Sequence, residues 1–162
     1  PEQMNEKVAY LTWLYKKVWP RLLSWVEQSN TPSTIHNYVY TNGKNQPQEI
    51  LQAIREGHSF ISNGPLVTAE VNGASYGEKA VLKDNTGKLS VHVFSKKPIN
   101  HLWMYTGADK KVELCAKADT AEGGFTYDIA ADEFDFGDTA WALFVADGGE
   151  NNLAISNPIL FA

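Results

Sequence analysis

REGHSFISNGPLV, residues 55–67, is where the hydrophobic pattern of this chain changes period. Just before it, QPQEILQAIREG places Ile50, Leu51 and Ile54 at the three- and four-residue spacing of one helical face. Pro47 suits the first turn of that helix. Gly57 suits its end, because glycine takes the left-handed conformation past a helix C-terminus at no steric cost. After His58 the apolar residues alternate with period two, the pattern of half-buried strands. HSFIS then reads as a strand, Asn63-Gly64 as a turn supplying positive φ, and Pro65 as a stiff entry to the next strand.

Working toward the C-terminus, the same alternation recurs in LVTAEV, KLSVHVFS, HLWMYTG, KVELCA, FTYDIA, WALFVAD and NPILFA. Turn signals separate them: Asn72-Gly73, Asp84 to Gly87, Gly107-Ala108-Asp109 and Gly123-Gly124. Short strands at this spacing predict an antiparallel, immunoglobulin-like β-sandwich. No internal repeat or low-complexity tract interrupts them.

Toward the N-terminus, Leu11, Leu14, Val18, Leu22 and Val26 predict a helix over residues 2–28. Trp13, Tyr15, Trp19 and Trp25 widen its apolar face, and Pro20 kinks or splits it. Such a helix must lie on the rest of the chain or on a partner. SNTPS breaks it, and HNYVYT follows as a short strand with a turn at Asn42-Gly43. The fold class expected is therefore mainly β with N-terminal helices. A helical segment with a short strand spans 1–57, and the sandwich spans 58–162.

The chain of 162 residues is long enough for one cored domain with a helical appendage. Its formal net charge of −5 argues against a nucleic-acid partner, which needs a concentrated basic surface. No apolar run of about 18 residues exists to span a membrane. Cys115 is the only cysteine, so no intrachain disulfide and no multi-cysteine zinc site forms; its alternating neighbours in KVELCAK make it a packed strand residue. The sequence names no compartment.

Chemistry is sparsely signalled. The four histidines, His36, His58, His92 and His101, lack the spacing of a helical metal motif. A site gathered from distant positions would draw on His36, His58 and Asp147. The acidic runs ADEFDFGD and DGGENN read as solvated loops, since neither matches the D-x-D-x-D-G calcium pattern. There is no nucleophile elbow, phosphate loop or dinucleotide fingerprint. Trp103 and Tyr105 share a strand face by parity, and with Trp141 they form a candidate sugar-stacking platform; alternating strand aromatics are more often core.

AIREGHSFISNGPLV, followed by NGASYGE and closed by AISNPILF, resembles the region after the barrel in PHP-domain metallohydrolases of the CehA/McbA type. The matching residues are Gly57, Phe60, Ile61, Asn63, Gly64 and Pro65, then Ile155, Ser156, Asn157, Pro158 and Ile159. The similarity runs from about His36 to Ala162. It implies a β-sandwich appended to a metal-dependent hydrolase barrel, with NYVYTNG as the last barrel strand and its link. The H-x-H motif that opens such a barrel is missing, as is the acidic and histidine segment expected before NYVY. No metal ligand of the family maps onto this chain, and no cofactor is expected. Gly57, Asn63, Gly64, Pro65, Asn157 and Pro158 are read as structural corners, with the two Asn corners close in space.

Three functions stay open on the sequence. One is a non-catalytic accessory module that packs on a hydrolase domain or self-associates as a homo-oligomer through Trp13, Trp19 and Trp25. Another is a small metal-dependent hydrolase with a site assembled from scattered His and Asp. The third is a carbohydrate-binding module using Trp103, Tyr105 or Trp141.

Overall fold

The computed structural model describes residues 35–162 except 42, 44–45, 108–109, 115–117, 122 and 150–151. The helix expected over 2–28, with Trp13, Trp19 and Trp25, lies outside the described residues, as do Cys115 and Glu150. Among the described residues the chain is mainly β, with one helix and two sheets.

Strand β1 (His36–Val39) leads to helix α1 (Pro47–Glu56) and returns as β2 (Ser59–Ser62). Pro47 sits in the first helical turn, where its missing amide costs nothing. The Glu49 carboxylate reaches back to the Gln46 amide at 3.2 Å, so an orphan donor is capped. At the other end Gly57 turns left-handed, with φ 81°, and the amides of Gly57 and His58 close on the Ile54 and Ala53 carbonyls. β1 then pairs antiparallel with β2, Tyr38 opposite Phe60. β1 thus stands at the edge of the larger sheet, beside β2.

The remaining strands are β3 (Leu66–Val71), β4 (Lys79–Ala80), β5 (Thr86–Ser95), β6 (His101–Thr106), β7 (Lys111–Glu113), β8 (Ala118–Ala121), β9 (Gly124–Asp135), β10 (Trp141–Asp147), β11 (Leu153–Ser156) and β12 (Ile159–Phe161). Four of them form the smaller sheet in the order β3-β5-β9-β8. The other eight form a larger sheet centred on β10. One edge of β10 pairs with β6, which carries β7. Its other edge pairs with β11 near Asp147 and with β12 near Trp141. β11 continues to β2 and β1, while β12 takes β4 in parallel. ADEFDFGD is not a loop throughout: Asp132 to Asp135 extend β9, and the turn begins only at Phe136.

The two sheets share one core. Val67, Ala69 and Val71 of β3, Leu89, Val91 and Val93 of β5, and Tyr127 of β9 face Leu102, Met104, Ala142, Phe144 and Ala146 of the larger sheet. Strand β3 alternates strictly between buried and exposed, as a strand with one wet face must. β10 behaves differently. All residues from Trp141 to Ala146 are buried, so the larger sheet is apolar on both sides.

Candidate functional site

Of the segments singled out in the sequence, the structure brings two, ISNP and NGASYGE, to one end of the larger sheet. Asn157 is fully buried. Its amide nitrogen Nδ2 donates to the Ser59 carbonyl and to Ser59 Oγ, both at 2.9 Å, and its backbone N–H donates to the same carbonyl at 3.1 Å. This corner sits where the partner of β10 changes from β11 to β12. Pro158 cannot donate to the ladder there. The Ser156 hydroxyl fills part of the break by accepting the Phe144 amide at 2.9 Å. The Pro158 carbonyl in turn accepts the Gly77 amide at 2.8 Å.

Gly77 belongs to the second segment, NGASYGE. Its φ is 80°, and a Cβ there would lie 2.1 Å from the Glu56 carbonyl oxygen and 2.8 Å from the His58 ring. Only glycine lets this loop close against the end of α1. Asn72, at φ 50°, ties the same loop down: its Nδ2 donates to the Val81 carbonyl and its Oδ1 accepts from Lys88, each at 2.7 Å.

The third corner stands elsewhere. Asn63 Oδ1 accepts the Leu153 amide at 2.7 Å, and its own N–H donates to the Leu153 carbonyl. It extends the β2–β11 ladder at the end opposite Asn157, about 13 Å away along four extended residues. The two Asn corners therefore staple the two ends of one strand pair and do not meet. Neither Asn63 nor Gly64 has a positive φ. Gly64 is required by a close approach instead: a Cβ there would lie 2.5 Å from Asn152 Oδ1. The Ser62 hydroxyl closes the turn, accepting from Gly64 N and donating to the Pro65 carbonyl.

Beside the first two segments lies a cavity of about 330 Å³, lined by Tyr40, His58, Thr68, Ala69, Glu70, Ser75, Tyr76 and Glu78. Tyr40 and Tyr76 form its aromatic wall, with centroids 6.0 Å apart, and Phe60 packs against both rings at 6.2 and 6.4 Å. The Tyr76 hydroxyl donates to the Val67 carbonyl at 3.1 Å. Burial, with the Glu70 carboxylate nearby, pushes Tyr40 up to about 12. Burial raises Tyr76 well above the usual phenol value, with Tyr40 adding to it. Both rings are therefore neutral hydrogen-bonding groups at ordinary pH.

The other candidates are dispersed. His36 faces Ser62 at one end of the β1–β2 hairpin, and His58 stands at the opposite end. Asp147 lies across from His101 and accepts the Gly149 amide. Among the described residues, no three His, Cys, Asp or Glu side chains are grouped to hold a metal. His92 pairs with Asp128 and His101 with Glu113, both on the exposed surface. Trp103, Tyr105 and Trp141 do share one face. Trp141 is buried there to 2% exposure, however, and Lys111 Nζ sits 3.7 Å over the Trp103 ring.

The sequence reading missed Asn152, placed in an acidic-looking loop. It is buried, accepts from Ser95 Oγ at 3.2 Å and donates to the Pro98 carbonyl at 3.0 Å, so it links the two sheets. Tyr40, Glu70 and Tyr76 of the cavity were also missed. Polar residues in a turn and tyrosines in strands carry no local signal of convergence. No protein-family model, no curated protein and no solved structure matches this chain. Among the described residues, no helix is long and apolar enough to cross a membrane.

Proposed function

We propose that this chain is a non-catalytic accessory module, an immunoglobulin-like β-sandwich of the kind that follows the barrel in PHP-type metallohydrolases. Its role is to pack on a hydrolase domain. The observation that supports this reading is the use made of the motif side chains. Asn63 and Asn157 direct their amides at backbone and hydroxyl groups of neighbouring strands. Gly57, Gly64 and Gly77 answer to backbone geometry and close approach. Motif residues occupied in this way hold a body together; they present no nucleophile, acid or base to a substrate. The two-sheet core with mostly antiparallel pairing agrees with the sandwich.

The test is elemental analysis of the full chain after incubation with zinc, manganese and iron salts and desalting, with p-nitrophenyl phosphate and acetate turnover read on the same sample. The module predicts no retained metal and no turnover. A stoichiometric metal with turnover abolished by His58→Ala would overturn it.

A further inference from the structure

The cavity beside NGASYGE lies where edge strands of the two sheets come together. Tyr40, just past β1, bounds it on the side of the larger sheet, and Thr68, Ala69 and Glu70 of β3 bound it on the side of the smaller one. His58 and the loop between β3 and β4, with Ser75, Tyr76 and Glu78, complete the lining. Ala69 and Tyr76 are buried, whereas Thr68, Glu70 and Glu78 are exposed, so an apolar and aromatic floor carries an acidic rim. The loop is fixed by its own hydrogen bonds. Glu78 Oε2 accepts the Ser75 amide at 2.8 Å, and the Tyr76 hydroxyl donates to the Val67 carbonyl at 3.1 Å. The lining is thus formed before any ligand arrives, and its volume of about 330 Å³ admits a small organic molecule.

We propose that this cavity binds a small aliphatic primary amine in its ammonium form, between the Tyr40 and Tyr76 rings and the Glu70 and Glu78 carboxylates. The two rings stand 6.0 Å apart and are inclined at 58°, which makes a corner. A cation seated in it comes within about 6 Å of both centroids, the range over which a π face attracts positive charge. The two carboxylates attract the same sign of charge. An anion would be repelled by all four groups, and a wholly apolar ligand would strip water from the carboxylates without replacing it. A primary ammonium is favoured over a quaternary one because it brings three N–H donors. The acceptors that meet them are the carboxylates and the hydroxyls of Thr68 and Ser75. The methylene stem then lies against the tyrosine rings. A bare metal ion fits less well, since among the described residues no three His, Cys, Asp or Glu side chains gather. This inference stands independently of the accessory role, because it asks for binding and for no reaction.

The experiment titrates n-butylammonium chloride into the ¹⁵N-labelled full chain and follows the backbone amide shifts. Sodium butyrate and tetramethylammonium chloride are titrated in parallel at matched ionic strength. The proposal expects saturable shifts from butylammonium, grouped at Thr68, Ala69, Glu70, Ser75 and Glu78. Butyrate should give none there, and tetramethylammonium should bind more weakly. Glu70→Gln removes a charge from an exposed side chain and should weaken butylammonium binding about tenfold. Tyr40→Leu should weaken it as well, through loss of the ring. Shifts that do not saturate, or that butyrate reproduces, would overturn the proposal. So would an affinity unchanged in Glu70→Gln, read on a variant whose spectrum shows the native fold. Tetramethylammonium binding as tightly as butylammonium would overturn the assignment to a primary amine.

Discussion

Asn157→Ala probes the corner that carries most of the structural argument. The side chain is completely buried, and Nδ2 makes two 2.9 Å hydrogen bonds to Ser59. Each contributes about 1 kcal/mol net. The Ser59 carbonyl keeps the Asn157 backbone donor at 3.1 Å, so truncation leaves it paired. The Ser59 hydroxyl loses its donor in a buried place, which adds about 1 to 2 kcal/mol. The expected loss is thus about 2 to 4 kcal/mol. In urea that moves the midpoint down by about 1 to 2 M at unchanged slope. Asn157→Asp should be worse, since it points a carboxylate at a carbonyl oxygen. Ser59→Ala should cost about 1 kcal/mol. The double variant should fall short of the sum by a similar amount, because both changes delete one shared bond. The assay is urea unfolding followed by circular dichroism and tryptophan fluorescence together. If Asn157→Ala shifts stability by less than about 0.5 kcal/mol, the corner does not hold β2 to β11 and the structural reading of the motif fails.

Two further outcomes follow from the same body. Gly73 and Gly77 both have φ near 80°, but a Cβ at Gly73 meets nothing within 4 Å while one at Gly77 meets the Glu56 carbonyl. Gly73→Ala should therefore cost about 1 kcal/mol, and Gly77→Ala about 4 kcal/mol or more, read as thermal midpoints; equal costs would refute the close approach. Tyr40 is held neutral in the fold up to about 12, against 10.0 for an unperturbed phenol. A raised folded-state value means that its stabilising contribution is complete below pH 10 and disappears as pH rises from 10 to 12. Urea midpoints measured across that window should fall, and Tyr40→Phe should flatten the fall; an identical slope in the variant would contradict the burial.

Much of the body was legible residue by residue. The ends of α1 were readable because proline and glycine act through the backbone itself, at Pro47 and at Gly57. LVTAEV and WALFVAD were read at the bounds the strands take, since each pattern is long and flanked by turn residues. β4, β8 and β11 were not readable, and β12 is shorter than the NPILFA expected. They are short, and partners far along the chain define them: Leu160 and Phe161 for β4, the start of β9 for β8, and the two ends of β10 for β11 and β12. The role of Gly64 was misread for a related reason. Asn-Gly suggests a left-handed turn locally, whereas the real demand comes from Asn152, far along the chain.

By itself, the sequence determined the change of period at His58, the helix before it and the strands after it, because hydrophobic spacing and backbone stereochemistry act over a few residues. The tertiary structure decided which corners meet, that Asn63 and Asn157 close opposite ends of one strand pair, and that Tyr40, Glu70 and Tyr76 line one cavity. Those outcomes depend on strand order and register, and contacts between residues far apart in the chain leave no periodic mark in it.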